Sequence, residues 1–236
     1  MKVSIRNKTQ NFNSYRAARV KSLFNAERGD KFNLDIDVPV DGDDWKIGVI
    51  VGPSGSGKTS IGKQLFGGGK IADLYKGWSK DKPIVDDISP DGDFNSVTGL
   101  LAGVGLGDVP SWLRPFHALS NGQQFRAGLA RVISDGDSKT IIDEFTSVVD
   151  RQIAKIGALA FSKAFRRTKK RQIVLLSCHY DIIEWVQPDW VLDTASGEVK
   201  KKTKLENGQL SSCCLLYTSD AADEGLGVDL GGRRII

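Results

Sequence analysis

The chain has 236 residues, of which 40% are hydrophobic and 26% are charged, and its formal net charge is +4. This composition suits one globular domain that is large enough for its own core. No apolar run reaches the length of a membrane span, the N-terminus lacks the hydrophobic stretch of a signal peptide, and three cysteines do not indicate a disulfide framework. We therefore expect a cytoplasmic protein.

The first predicted elements are strands. Residues 18–24 and 31–40 alternate or are rich in β-formers, so we expect two strands joined by a turn in a small N-terminal antiparallel part. A continuous apolar run at 45–52 ends in glycine and predicts a buried parallel strand. The helix that follows is expected to begin at Lys58 and to be stopped by three glycines, Gly67 to Gly69.

Strands and helices alternate through the rest of the chain. Strands are expected at 82–88, 139–143 and 171–178, helices at 121–134 and 149–170, and a hairpin at 189–200. Residues 90–115, rich in Gly and Pro, contain only a modest helical stretch and predict a short helical subdomain. This order predicts an α/β fold, a mostly parallel sheet flanked by helices. Cys178 falls within the last long strand and is expected to be a buried thiol without a functional role.

A glycine-rich loop separates the strand at 45–52 from the next helix. The segment "GPSGSGKTS" fits G-x-x-x-x-G-K-[ST] at every position, which indicates a P-loop NTPase. Glycines let backbone N–H groups turn toward phosphate oxygens at the positive end of the helix. Lys58 can reach the same oxygens, and the Thr59 hydroxyl can bind Mg²⁺. The predicted nucleotide-binding residues are Gly52, Pro53, Ser54, Gly55, Ser56, Gly57, Lys58, Thr59 and Ser60.

Three polar residues follow two other strand ends. Asp143 closes the apolar strand at 139–143 and is a candidate magnesium ligand through water, and Glu144 is the candidate general base for the attacking water. His179 stands just past the strand at 171–178, where parallel sheets present ligand-facing residues. A lone histidine is more often structural, but this position favours a catalytic role. The candidate catalytic residues are Glu144, His179 and Lys58.

A second helix start also suits an anion. In "FHALSNGQQFRAGLAR" at 116–131, a serine and a glycine lie at the mouth of the helix predicted from Asn121 onward. The free N–H groups and the helix dipole at such a start attract negative charge. Ser120 is equally suited to be an ordinary N-cap, and one residue can serve both purposes.

Together these segments resemble the ABC ATPase superfamily over residues 18–197. "GPSGSGKT", "LSNGQ", "DEFTSVVD" and "SCHYD" are similar to its Walker A, signature, Walker B with D-loop, and H-switch motifs, in the family's order. The resemblance implies MgATP hydrolysis in a head-to-tail homodimer, in which the signature loop of one chain serves the γ-phosphate held by the other. It assigns Asp150 to the D-loop that couples the two sites, and its signature residues are Ser120, Asn121, Gly122 and Gln123.

Two motifs depart from the family pattern without losing a catalytic group. Asn121 replaces the usual second glycine of the signature, and Phe145 replaces the usual proline after the glutamate. For the aromatic side chain that stacks on adenine in this family, Phe24 is the best match and Phe32 a lesser one. A core position is an equally good interpretation of Phe24.

A larger departure lies between the P-loop and the signature. No glutamine follows "KPIV" (82–85), where the family's Q-loop is expected, and Asp86 and Asp87 occupy that region. An aspartate there could still contact Mg²⁺. The segment up to Leu119 is also short for the helical subdomain on which transporters dock their membrane partners, which favours a soluble ATPase.

Several functions remain open at this point. We favour a soluble ATPase whose ATP-driven dimer closure acts on a macromolecule, and basic clusters near the N-terminus, at 166–171 and at 200–204 make nucleic acid one candidate. Solvated surface is the simpler interpretation of those clusters. The alternatives are the motor subunit of a membrane transporter with a separate permease, a truncated ATPase once fused to a predicted acetyltransferase domain, and a nucleotide-sensing module without catalysis.

The C-terminal segment has no helical or strand period. One choice of codons for 214–224 reproduces the end of a transposase-made sequencing library, and one for 228–236 resembles the flow-cell adapter of the same kit. We therefore expect natural sequence only to about Cys213. The expected division is an N-terminal extension at 1–17, an ATP-binding domain at 18–212 and an adapter-derived tail at 213–236.

Overall fold

The computed structural model describes residues 2–8, 14–24, 31–38, 45–66 and 69–202. Its strands are β1 (Lys2–Lys8), β2 (Lys31–Asp37), β3 (Ile47–Val51), β4 (Lys70–Ala72), β5 (Lys139–Ile142), β6 (Gln172–Ser177), β7 (Trp190–Asp193) and β8 (Val199–Lys201). β1 and β2 form a small antiparallel sheet. The other six form one sheet in the order β4-β5-β6-β3-β7-β8, in which only the β7–β8 pair is antiparallel.

Helices cover both faces of the six-stranded sheet. The α-helices of the described residues are α1 (Tyr15–Phe24), α2 (Lys58–Phe66), α3 (Ile84–Asp87), α4 (Phe94–Gly103), α5 (Val109–Trp112), α6 (Asn121–Ser134), α7 (Arg151–Phe165) and α8 (Ile182–Val186), and a 3-10 helix spans Phe116–Ala118. The central strand β3 is buried throughout and sends Ile47, Val49 and Val51 into a core shared with α4, α6, α7 and α8. Ile50 points to the opposite core, which contains α2 and the small sheet.

The predicted fold class is confirmed by this arrangement. A mostly parallel sheet is flanked by helices, a small antiparallel part stands beside it, and a short helical segment lies between β4 and α6. Because parallel strands emerge at the same edge of a sheet, the loops that follow β3, β5 and β6 converge there.

Two predicted strands are wrong. Residues 18–24 lie in the helix α1, because the neighbouring alanines favour a helix and a short alternation does not distinguish the two states. Residues 84–87 form α3 rather than a strand. Pro83, which has no N–H for a sheet ladder, stands at its N-cap, and the place beside β5 is taken by β4 instead.

The structure describes part of the predicted N-terminal extension and none of the predicted C-terminal tail. Lys2–Lys8, within the expected N-terminal extension, forms β1, and its Val3 is buried in the core beside α2. Residues 203–236, which include the expected adapter-derived tail, lie outside the described residues, as do the side chains of the two adenine candidates, Phe24 and Phe32.

Candidate functional site

The glycine-rich loop joins β3 to α2 in a conformation that only glycine adopts easily. Gly52, Gly55 and Gly57 have φ angles of 143°, 79° and 85°. A Cβ at Gly52 would also lie 2.0 Å from the Thr194 hydroxyl oxygen. That hydroxyl lies 2.5 Å from Ser56 Oγ and donates to the carbonyl oxygen of Val51, so the end of β7 supports the loop. Thr194 is absent from the predicted site residues because no local sequence pattern marks it.

The Lys58 ammonium group folds back over this loop. Nζ donates to the carbonyl oxygens of Gly52 at 2.8 Å and Pro53 at 2.6 Å. Lys58 is also the first residue of α2, where the N–H groups of the first turn have no partner within the helix. The loop can therefore offer an anion backbone donors and a cationic side chain together.

A hydroxyl and a carboxylate meet beside the loop. Thr59 Oγ1 donates to Asp143 Oδ2 at 2.8 Å, which links the start of α2 to the end of β5. Oxygen atoms of this kind are the ligands that Mg²⁺ prefers alongside substrate phosphates. The donor set therefore fits a magnesium ion held by Thr59 and Asp143 with phosphate oxygens.

A cavity of about 470 Å³ opens over these groups. The P-loop forms one wall, and Asp143, Glu144, Ser147, Ser177 and Cys178 form much of the other. A second cavity shares Asp143 and Glu144 and continues to the residues that follow β4. The structure thus brings together the P-loop residues, Asp143 and Glu144 at one edge of the sheet.

Glu144 lies in a loop that is tied to the neighbouring strand. Its side chain is exposed, its φ angle is 51°, and its N–H donates to Asp143 Oδ1 at 2.9 Å. The next residue, Phe145, donates its N–H to the Leu176 carbonyl oxygen at 2.8 Å, a bond that proline could not make. The Phe145 ring is fully buried against Phe125. The departure from proline thus adds a backbone hydrogen bond and core packing.

The residues after β6 do not all face the cavity. Cys178 is exposed and lines it, so the expectation of a buried thiol is wrong: β6 ends at Ser177, and Cys178 already lies in the following loop. His179 is half-buried and does not line this cavity, and its N–H donates to Ser177 Oγ at 3.0 Å. Burial lowers the pKa of His179, the Arg151 charge lowers it further, and Asp181 opposes both effects.

The loop at Ser120, predicted to be the signature, also lies outside this cavity. Ser120 is the N-cap of α6: its Oγ accepts from the Gln123 N–H at 3.3 Å, and Gln123 Oε1 accepts from the Ser120 N–H at 3.0 Å. Ser120 and Asn121 are exposed, whereas Gly122 is buried so close to Ile153 that a Cβ would lie 2.9 Å from it. Asp150 is likewise exposed and caps α7 by accepting from the Gln152 N–H at 2.8 Å.

The segment beside the Walker B strand is not the one expected. Asp86 and Asp87 lie in α3, and Asp87 accepts from the Ser79 N–H at 2.7 Å. The strand next to β5 is β4, whose Ala72 pairs with Ile142, so Asp73 follows its strand as Asp143 follows β5. Asp73 lines the second cavity and forms an ion pair with Lys76 at 2.9 Å. Asp86 and Asp87 therefore do not follow a strand of the sheet, whereas Asp73 does, and the three-residue strand before it is too short to leave a sequence period.

Comparisons with known proteins identify the fold. No family model matches the sequence, and no curated protein matches it. Among solved structures, a dimeric ATP-binding cassette, MJ0796, in a post-hydrolysis state with ADP and phosphate is 12% identical with a TM-score of 0.55, over 91% of this chain and 100% of that one. A protein classed as a metal-chelate type ABC transporter, in an inward-facing conformation, is 16% identical with a TM-score of 0.50, over 78% of this chain and 76% of that one.

These similarities show that the chain has the fold of an ABC ATP-binding domain. In the described part of the chain, no helix combines the length and the hydrophobicity that a membrane crossing requires.

Proposed function

We propose that the chain is an ABC-type ATPase, which binds and hydrolyses MgATP in a head-to-tail dimer. One observation carries the proposal: the Thr59–Asp143 hydrogen bond of 2.8 Å joins the P-loop helix to a strand end whose next residue is Glu144, all beside one cavity. This arrangement brings a phosphate cradle, two magnesium ligands and a general base together.

Binding begins at the P-loop. The phosphates of ATP lie against the backbone N–H groups at the start of α2. Lys58 Nζ gives up its hydrogen bonds to the carbonyl oxygens of Gly52 and Pro53 and donates to phosphate oxygens instead. Thr59, and Asp143 through water, would hold Mg²⁺, which would supply positive charge against the phosphate oxygens.

Hydrolysis then needs an activated water. The Glu144 carboxylate accepts a proton from the water as its oxygen bonds to the γ-phosphorus, while the bond from that phosphorus to the ADP oxygen breaks. The products are ADP and inorganic phosphate. His179 is the second catalytic candidate; its lowered pKa keeps the imidazole neutral near pH 7 and able to accept a hydrogen bond.

A second copy of the chain completes each site in this proposal. Ser120 and Asn121 are exposed and do not line the cavity of their own chain, which leaves them accessible to a partner. The cap uses the N–H of Gln123, so the first-turn N–H groups of Asn121 and Gly122 can face a γ-phosphate. Asp150 is also exposed, and as the proposed D-loop residue it would lie at the same interface.

We also propose that the ATPase is soluble rather than the motor of a transporter. Between β4 and α6 it has three short α-helices, α3, α4 and α5, of four, ten and four residues, and a 3-10 helix of three residues, which together form a small surface for docking a membrane partner. The expected result is an active protein without a permease. A permease gene beside this one, whose product co-purifies with the chain and stimulates it, would overturn this part.

The Glu144→Gln variant tests the reaction. We expect it to bind MgATP like the parent but to lose hydrolysis by about 100-fold or more, because only proton acceptance is removed. With MgATP it should elute as a stable dimer in size-exclusion chromatography with light scattering. Glu198→Gln, at an exposed turn that does not line the cavity, is the matched control and should hydrolyse normally. Parent-level turnover by Glu144→Gln would show that the assigned base is wrong.

A further inference from the structure

The loop between β5 and α7 has a conformation that its residues do not favour by themselves. Glu144 and Thr146 have φ angles of 51° and 69°, in the left-handed region that non-glycine residues rarely adopt. Thr146 is β-branched, which makes this conformation still less favourable, and its side chain is buried. Contacts with the surrounding structure must therefore hold the loop.

Two sets of contacts do so. On the sheet side, Phe145 donates its N–H to the Leu176 carbonyl oxygen and accepts from Ser177 Oγ at 3.1 Å. On the opposite side, Arg151 Nη1 donates to Thr146 Oγ1 at 3.2 Å. Arg151 is the first residue of α7, directly after the D-loop.

The same guanidinium group also binds the segment that follows β6. Nε donates to Asp181 Oδ2 at 3.0 Å and Nη2 donates to Asp181 Oδ1, while the group lies over the Trp185 ring at 4.8 Å from its centre. A forked arginine–carboxylate pair fixes orientation as well as distance, and the ring contact restricts the plane of the group. Asp181 stands two residues after His179. One side chain thus joins the loop of Glu144 to the segment of His179.

We propose that Arg151 is a positioning residue that sets the Glu144 loop relative to the His179 segment. The inference rests on the proposed function, because hydrolysis is the reaction that needs both segments. Lysine at this position would keep the charge but could not contact Asp181 twice and Thr146 at the same time. Charge alone is therefore not sufficient for the role.

The first test compares Arg151→Gln and Arg151→Lys with Arg166→Gln. Arg166 lies just after the far end of α7, binds Asp189 at 2.9 Å and the Gln187 carbonyl oxygen at 2.6 Å, and donates to neither Thr146 nor Asp181, so it controls for the loss of a paired guanidinium group. We expect both Arg151 variants to lower kcat by about 10- to 100-fold, the cost of displacing catalytic groups by about 1 Å. The dissociation constant for MgATP should stay near the parent value. Parent-level kcat in Arg151→Gln, or equal losses in Arg151→Gln and Arg166→Gln, would overturn the inference.

A second test does not depend on activity. The chain has two histidines, His117 and His179, so an NMR titration can follow each ring. The charged groups that act on His179 are Arg151, which lowers its pKa, and Asp181, which raises it. Arg151→Gln should therefore raise the pKa of His179, and Asp181→Asn should lower it.

Amide hydrogen exchange of residues 144–150 measures how firmly the backbone of the loop is held. The exchange rate should rise in Arg151→Gln and stay at the parent value in Arg166→Gln. An unchanged His179 titration with unchanged exchange would overturn the placement of Arg151. A parent chain that fails to hydrolyse ATP would defeat the proposed function alone, and these two measurements would still decide the role of Arg151.

Discussion

Single residues at the strand ends determine what faces the cavity, and Cys178 gives a direct test. The thiol is exposed beside Lys58 and Glu144, one residue after β6 ends. We expect N-ethylmaleimide to modify Cys178 and to prevent ATP binding, because the added group occupies the cavity. MgATP should slow the modification. Mass spectrometry of the peptide that contains Cys178, at timed intervals, measures both effects.

Cys178→Ser should bind and hydrolyse ATP in the presence of the reagent. Equal rates of Cys178 labelling with and without MgATP would contradict the placement of the thiol in the nucleotide cavity.

Among the secondary-structure elements, the C-terminus of α6 depends on one buried arginine. Arg171 donates from Nη1 to the Ile133 carbonyl oxygen at 2.6 Å, from Nη2 to that of Val132 at 2.8 Å, and from Nε to that of Asp137 at 2.8 Å. We expect Arg171→Met to lower the free energy of unfolding by about 2–4 kcal/mol, because carbonyl groups at the helix end lose their donors. Urea denaturation measures the change.

Arg167→Met is the control, since Arg167 is exposed and its loss should change stability by less than about 0.5 kcal/mol. A stability loss in Arg171→Met no larger than in this control would contradict the cap.

The contacts of Arg166 and Arg171 also bear on the basic cluster at 166–171, which was a candidate surface for nucleic acid. Because both side chains bind groups within the protein, only the other basic residues of the cluster are available to bind a nucleic acid.

What the sequence could predict at this scale depends on how local the signal is. The P-loop and the strand that leads to Asp143 are contiguous patterns, and both are in the structure, where β5 ends one residue earlier, at Ile142. β4 has only three residues, too few to show a strand period in the sequence. Its place beside β5 depends on pairing between strands that are far apart in the chain, so no local stretch of sequence predicts it. The contacts of Arg151 with Asp181 and of Thr194 with Ser56 also depend on the folded arrangement, because each joins residues that are far apart in the chain.

In the whole molecule, the Ser120 loop lies apart from the cavity, which is why the proposed function includes a partner chain. The P-loop, Asp143 and Glu144 surround one cavity, while Ser120 stands exposed at the start of α6 and does not line it. If each working site combines the cradle of one chain with the Ser120 loop of another, a lesion in either part inactivates a homodimer. If one chain carries a lesion in the cradle and the other a lesion in the Ser120 loop, a heterodimer of the two chains keeps one intact site.

Mixing two inactive variants tests this arrangement. Lys58→Ala removes the cradle and Ser120→Arg removes the loop, so each alone should be inactive. In a mixed dimer, the intact cradle of the Ser120→Arg chain meets the intact loop of the Lys58→Ala chain, and one site works. Random pairing of equal amounts should restore about a quarter of the parent ATPase rate. Lys58→Ala mixed with Glu144→Gln should stay inactive, because both lesions lie in the same half of every site. An inactive first mixture, with both variants folded and able to dimerise, would show that the sites are not shared between chains.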